Sequence, residues 1–359
     1  MKQHQAKILA LLFSPLLLSI GNVADAKRVL KGSKSIKQGK SAKSAKSAKS
    51  TATCKDTPLL SDNVCDNYVT KGLSFPNVDC ADLPQSATNV TDGFDGDLIK
   101  TFNGNVAEPE TRRYSETDMC AVNVHWHLGS EHYSAGEYDE NGTGPSEVGE
   151  RRLAAGKIHE GAQCSLYDET VEKFTKKYDW KYCTNMEVGQ TYEVHWPHSK
   201  LGACGTQWQY QAPFKTGVFC KIDLDGLGGF LTTQRENLPK YAGVQAQVFT
   251  IVNDDSEEYT FPNLFDGMIV DDTKQMGVDM AYYVGSTTGQ KVSNTECSPY
   301  SPITWQVDRI CHQISAKSFD NMCQTMLNQP ADMSGDTYPH GSREMVDAAN
   351  TGIVDGGSI

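Results

Sequence analysis

The chain has 359 residues, 11 cysteines and a net charge of −12, and its length suits one large domain or two ordinary ones. The charge is unevenly placed, because residues 1–53 carry +10 and therefore leave −22 for residues 54–359. The net negative charge of residues 54–359 argues against nucleic-acid binding by the folded part of the chain.

The first 26 residues have the features of a secretory signal peptide. A basic start, MKQHQAK, precedes the apolar run ILALLFSPLLLSIG, and the small-residue sequence ADA ends at Ala26. A membrane span needs about 18 or more apolar residues, so neither this run nor a later one predicts a transmembrane segment. We expect secretion to the periplasmic space or cell wall. A plastid destination is the alternative, although Lys27 stands where algal plastid precursors usually have an aromatic residue.

Residues 27–53 differ from the rest of the chain in composition. A lysine occurs at every third position from Lys31 to Lys49, and the segment has no acidic residue. With almost no apolar side chains it cannot bury a core, so we predict a disordered segment. It is either a solvated linker or an arm that contacts polyanions, the cell wall or silica.

From Cys54 onward, five runs with β-type patterns predict strands, and turn signals separate them. The runs are 121–128 (AVNVHWHL), 191–197 (TYEVHWP), 244–253 (VQAQVFTIVN), 280–285 (MAYYVG) and 303–307 (ITWQV). Residues 165–180 have apolar spacing typical of a helix, and the polar stretch 143–161 reads as a long insertion. We predict one catalytic domain over residues 54–359.

The cysteines indicate disulfides rather than a cysteine metal site. None are spaced as C-x-C or C-x-x-C, and all follow Ala26, as in secreted proteins. The odd number leaves at least one thiol free or paired between chains. Sequons at Asn89 and Asn141 predict glycosylation of surface loops.

Alternation in the first run places two histidines on one face. In a strand, Asn123, His125 and His127 point one way, while the apolar residues between them point the other. Imidazoles at this spacing can converge on one ion at Zn–N distances of about 2.0–2.1 Å.

The run TYEVHWP supplies a third ligand by the same reasoning. Glu193 and His195 share a face, so His195 completes a three-histidine site if this strand lies beside the first. Glu193 can accept the N–H of a ligand histidine and fix its tautomer. Three neutral histidines leave a fourth position open, as in catalytic zinc sites.

These motifs resemble a known family. HWHLGSEH and YEVHW are similar to the zinc-binding strands of the α-type carbonic anhydrases, and YYVGSTTGQKVSNTECSPYSPITWQV is similar to their gatekeeper segment. The longer stretches VNVHWHLGSEHYSAGEY and EVHWPHS resemble more closely the δ-class carbonic anhydrases of marine microalgae. The likeness covers roughly residues 100–330.

The resemblance implies a mainly β, α-carbonic-anhydrase-like fold with a central twisted, mostly antiparallel sheet, peripheral helices and a long insertion. It implies the reversible hydration of CO2 to bicarbonate by a metal-bound hydroxide. His125, His127 and His195 match the zinc ligands, and Glu193 matches the carboxylate behind them. The δ-class also tolerates other metals, so Co²⁺ or Cd²⁺ can replace Zn²⁺.

The same resemblance places a catalytic hydroxyl and its acceptor. Glu131 matches the glutamate that accepts the gatekeeper's hydrogen bond, and Thr288 matches the gatekeeper, with Thr287 as the alternative. The proton shuttle stays open among His132, His159 and His198, since such a group titrates near neutrality.

Two rival functions fit parts of the sequence. A cupin-like metal oxygenase or isomerase would use Glu131 as a fourth ligand, but it leaves the Glu193–His195 strand unexplained and lacks a second cupin motif. A non-enzymatic cell-wall or mineral-binding protein would use the lysine-rich segment. The intact set of candidate ligands favours the enzyme.

Overall fold

The computed structural model describes residues 62–65, 101–102, 105–106, 108–132, 136–139, 144–145, 152–153, 156–157, 160–222, 235–285 and 303–342. The predicted signal peptide, the lysine-rich segment, both sequons, His159 and the two candidate gatekeeper threonines lie outside these residues. No helix in the described ranges is long and apolar enough to cross a membrane.

The described part of the chain is mainly β. Its strands are β1 Thr101–Phe102, β2 Asn105–Val106, β3 Cys120–Ala121, β4 His125–Leu128, β5 Tyr138–Asp139, β6 Arg152–Leu153, β7 Gly156–Lys157, β8 Gln163–Cys164, β9 Thr191–Ser199, β10 Ala242–Val252, β11 Met280–Gly285 and β12 Ile303–Ser315. Its helices are α1 Glu172–Thr175, α2 Phe214–Val218 and α3 Ala316–Leu327, and 3₁₀ turns cover Tyr114–Glu116, Arg235–Lys240 and Ser334–Asp336.

A six-stranded sheet carries the fold. Its order is β11-β12-β10-β9-β3, and β4 also pairs with β9. The pair β10–β12 is parallel, whereas β9 is antiparallel to β10, β3 and β4 and β11 is antiparallel to β12. The predicted mainly β fold with a mostly antiparallel central sheet is confirmed. All five predicted strand runs contain residues of this sheet.

The helix predicted over residues 165–180 is wrong, because only the single turn α1 forms there. Carbonyl groups that would continue the helix bond elsewhere. The backbone N–H of Asn253 donates to the carbonyl of Lys173 at 2.8 Å, and its side-chain amide donates to those of Lys176 and Lys177. Asn253 follows β10, so the sheet holds this segment extended.

The predicted alternation of the ligand strands is confirmed. Trp126 on β4, together with Val194 and Trp196 on β9, is fully buried in the main apolar core. The amphipathic helix α3 covers this core with Phe319, whose ring lies 5.2 Å from that of Trp126. Packing on this side leaves the opposite face of β4 and β9 for the histidines.

Four disulfides link distant parts of the described chain. They join Cys65 to Cys220, Cys120 to Cys204, Cys164 to Cys311 and Cys183 to Cys323. The expectation of disulfides is confirmed, and they are consistent with an extracellular protein. The other three cysteines of the sequence lie outside the described residues.

Gly243 on β10 permits a close approach that positions the end of the sheet. A Cβ atom at this position would overlap the hydroxyl of the buried Tyr114 and lie 2.7 Å from the carbonyl oxygen of Thr304. We expect Gly243→Ala to lower the free energy of unfolding by about 1–3 kcal/mol, the usual cost of overpacking. Chemical denaturation measures this loss. Tyr114→Phe in the same chain should recover part of it, and a Gly243→Ala variant as stable as the native chain would contradict the prediction.

Candidate active site

Strand pairing brings the three predicted ligand histidines together. His125 on β4 lies directly opposite His195 on β9, and His127 lies opposite Glu193. The ring centroids of His125 and His127 are 5.3 Å apart, those of His125 and His195 5.4 Å, and those of His127 and His195 4.6 Å. All three residues are buried.

These separations fit three imidazoles around one ion. With Zn–N bonds of about 2.0–2.1 Å and tetrahedral angles, ring centroids bound to one zinc lie about 5 Å apart. Buried nitrogen donors of this kind suit zinc and its neighbours in the first transition series. The donor set therefore fits the metal that the resemblance implies.

Hydrogen bonds fix the orientation of two of the rings. Nδ1 of His125 lies 2.7 Å from Oδ1 of Asn123, and Nδ1 of His127 lies 2.9 Å from the carbonyl oxygen of Gly341. Both partners are acceptors, since the amide nitrogen of Asn123 donates to Asp336 and to a backbone carbonyl. Nδ1 therefore carries the proton, and Nε2 is the nitrogen that keeps a lone pair in each ring.

Glu193 lies behind the histidines at the bottom of the site. Its Oε1 contacts Nδ1 of His132 at 2.6 Å, and its Oε2 accepts the backbone N–H of Glu131 at 2.5 Å. Nε2 of His195 lies 3.5 Å from Oε2. Burial alone would raise the pKa of Glu193, but His132 and His195 hold that pKa below its usual range. A buried carboxylate among imidazoles stays ionised and favours their N–H groups facing it.

Glu131 also lies among the histidines. Its carboxylate oxygens are 3.2 Å from Nδ1 of His127 and 3.9 Å from Nε2 of His195, and the residue is buried. The carboxylate is therefore close enough to the imidazoles of His127 and His195 to help orient them. The candidate gatekeeper Thr288, and its alternative Thr287, lie outside the described residues.

The glycine in HWHLGSEH allows a second segment to pack against the ligand strand. Gly129 has a φ of 75°, and a Cβ atom there would lie 2.5 Å from the carbonyl oxygen of Gly161. The backbones exchange hydrogen bonds between Ser130 and Ala162. This contact turns the chain so that Glu131 and His132 come back beside β9.

Of the three shuttle candidates, the two that the structure describes are buried. Nδ1 of His132 contacts the carboxylate of Glu193. His198 is buried beside Tyr114, with ring centroids 4.7 Å apart, and burial lowers its pKa to about 4 although its hydrogen bond to the Trp196 carbonyl acts in the opposite direction. A group with this pKa is neutral at the pH where a shuttle exchanges protons.

The lowered pKa of His198 predicts a pH dependence of stability. The ordinary pKa is 6.5 and the folded value is about 4, so the unfolded chain binds more protons between these values. Stability should therefore fall by about 2–4 kcal/mol as the pH drops from roughly 6.5 to roughly 4. Unfolding by urea at several pH values measures the slope. His198→Gln should flatten it, and an unchanged slope in that variant would contradict the prediction.

Sequence reasoning missed His340. One ring nitrogen from each of His340, His125 and His127 lies within 4.8 Å of the other two, so the three could hold an ion together. The sequence signal is weak, because His340 stands alone in YPHGS, far from the other histidines. Nothing in its immediate neighbours shows that its segment lies beside β4.

Comparison with protein families decides the identity. The family model described as delta carbonic anhydrase matches residues 116–318, which is more than half of the chain. The chain belongs to the δ-carbonic anhydrase family. None of the curated proteins and none of the solved structures compared with it match it. The matched residues include β4 and β9, which carry the three predicted ligands.

Membership in this family makes the chain a carbonic anhydrase, a lyase that interconverts CO2 and bicarbonate. The family match overturns the cupin-like alternative, so Glu131 is not needed as a cupin ligand. It also makes the protein an enzyme rather than solely a mineral-binding protein. The family implies a metal, and the buried histidine and glutamate groups of the site offer ligands for one.

The histidine face of this δ-carbonic anhydrase is bordered by apolar side chains. The ring of Phe214 lies 6.0 Å from that of His125, and the ring of Trp305 lies 5.1 Å from that of His195. A small apolar cavity is lined by Phe214, and its walls also include Pro197, Val218, Phe219, Val244 and Ile303.

Proposed function

We propose that the chain is a secreted zinc carbonic anhydrase whose ion is bound by His125, His127 and His195. The pairing of His125 opposite His195, with His127 on the same face, carries this proposal. When bound, the zinc ion supplies the Lewis acidity that makes water a nucleophile near neutral pH.

The protein's own residues prepare this site. Asn123 and the Gly341 carbonyl hold two ligand rings in one tautomer, and Glu193 fixes Glu131 and His132 behind the third. We assign to Glu131 the acceptor role for the gatekeeper hydroxyl of Thr288. Phe214 and Trp305 border the position from which CO2 approaches and limit access of bulk water.

We also propose that the chain is exported and that its lysine-rich segment contacts surfaces outside the cell. The four disulfides support an oxidising destination, which suits interconversion of CO2 and bicarbonate outside the plasma membrane. Residues 1–26 act as the signal peptide, and residues 27–53 contact polyanions, cell wall or silica. N-terminal sequencing of the exported protein should begin at Lys27, whereas retention of the apolar run would contradict cleavage.

The test of the zinc assignment is CO2 hydration by the purified mature protein, with metal content measured on the same sample. We expect about one zinc per chain, loss of activity on chelation, and recovery with Zn²⁺. Co²⁺ and Cd²⁺ should also restore activity. His198→Gln is the control, since this histidine lies on β9 but outside the ligand set. A metal-loaded but inactive protein would contradict the catalytic assignment, and absence of metal under all loading conditions would contradict the site.

A further inference from the structure

A short segment near the end of the described chain completes the sheet beside β4. The backbone N–H of His340 donates to the carbonyl of Trp126, and that of Leu128 donates to the carbonyl of His340, both at 2.8 Å. The hydroxyl of Ser342 donates to the carbonyl of Leu128 at 2.5 Å. β4 is therefore paired on both of its edges, with β9 on one side and this segment on the other.

The pairing places His340 on the histidine face. His340 and His127 are parallel partners, and paired residues of neighbouring strands project to the same side of a sheet. The ring of His340 stacks on that of His125, with centroids 5.3 Å apart and 17° between the planes, and lies 5.8 Å from that of His127. His125 and His127 thus have an imidazole neighbour on each side.

The two flanking histidines differ in exposure. The side chain of His340 is 28% exposed, whereas that of His195 is 3% exposed. His340 is therefore the more accessible of the two to an ion in solvent. His340 and Asp336 also lie beyond the residues that the family model matches, so the family match does not account for them.

A buried carboxylate connects His340 to His125. Oδ1 of Asp336 lies 3.2 Å from Nε2 of His340, and its Oδ2 accepts a hydrogen bond from Asn123 at 2.8 Å. Oδ1 of Asn123 in turn contacts His125. One Asp–Asn pair thus orients both rings, which is the arrangement by which outer residues position metal ligands.

We propose that His125, His127 and His340 form an outer metal-binding set for zinc-like divalent ions, which receives the ion before His195 completes the inner set. The outer set shares two ligands with the inner one, so the two positions are alternatives and the chain binds one ion at a time. This inference rests on the proposed zinc function, and it assigns to His340 the uptake of that metal.

The test uses the full metal-free protein and two probes, Co²⁺ followed by visible absorption and Zn²⁺ followed by metal analysis after gel filtration. His195→Ala should still bind about one Co²⁺ per chain through the outer set. His195→Ala combined with His340→Ala should weaken Co²⁺ binding by more than the roughly 10–100-fold typical of losing an outer partner. His340→Ala alone should keep one Zn²⁺ per chain at saturation but take it up measurably more slowly than the native chain.

Several results would overturn the outer set. If His195→Ala binds no Co²⁺, or if the double variant binds it as tightly as the single one, His340 is not a ligand. An unchanged rate of zinc uptake in His340→Ala would remove its receiving role. Thermal unfolding of the metal-free variants checks the fold, and the His195→Gln and His340→Gln variants replace any alanine variant that does not fold. If the native chain itself binds no metal, the proposed zinc function fails, which distinguishes the two failures.

Discussion

Replacing His127 with alanine is expected to abolish stoichiometric metal binding and to reduce CO2 hydration to the uncatalysed rate. His127 belongs to one candidate group with His125 and His340 and to another with Glu131 and His195, so its removal leaves neither group with three ligands. The affinity for zinc should fall by more than the roughly 10–100-fold that loss of an outer partner costs. Metal analysis after dialysis and stopped-flow hydration measure the two effects.

The loss should not come from unfolding. His127 hydrogen-bonds to the Gly341 carbonyl, and the loss of such a bond costs about 1 kcal/mol of stability. His198→Gln on the neighbouring strand is the matched control and should keep its metal and its turnover. A folded His127→Ala protein that retains one tightly bound zinc per chain would show that the ligand set is wrong.

The second large effect is expected from the disulfide between Cys183 and Cys323. It joins the segment before β9 to α3 across 140 residues, and both cysteines are buried in the main core. Breaking a link that closes so long a loop gives the unfolded chain much more conformational freedom. Replacing both cysteines with alanine should cost about 2–5 kcal/mol. The melting temperature should then fall by roughly 5–15 °C.

The single variants serve as controls for this bond. Cys183→Ala and Cys323→Ala each break the same link, so each should lose about as much stability as the double variant. The His125 and His195 rings lie on the opposite face of the sheet, and zinc binding at 25 °C should therefore persist in all three. A double variant within about 1 kcal/mol of the native chain would contradict the entropic argument.

The sequence was sufficient to predict which residues of the two strands share a face. The period of two in AVNVHWHL and TYEVHWP separated Trp126 and Trp196 from the histidines, and the structure buries both tryptophans in the core. The register that places His125 opposite His195 cannot be predicted from the sequence. It depends on which strands become neighbours, and a sequence pattern alone does not determine that.

The missed elements have two physical causes. Helix α3 has a detectable signal, since Phe319, Met322, Cys323 and Met326 follow helical spacing and Ser315 caps its start by accepting the Ser318 N–H. Residues 165–180 have similar spacing, but Asn253 holds their carbonyl groups in an extended segment. His340 has no local signal, because its position beside β4 depends only on long-range pairing.

The pairing of residues 340–342 with β4 makes the candidate site depend on the order of synthesis. The carbonyl of Gly341 orients His127, and Gly341 lies 214 residues after His127 in the sequence. A growing chain therefore exposes β4 long before residues 340–342 leave the ribosome. Until then, the N–H of Leu128 and the carbonyl of Trp126 form an open edge that can pair with other chains. Contacts so distant in sequence form late in folding. The proposed metal site therefore stays incomplete until residues 340–342 have been translated and have paired with β4.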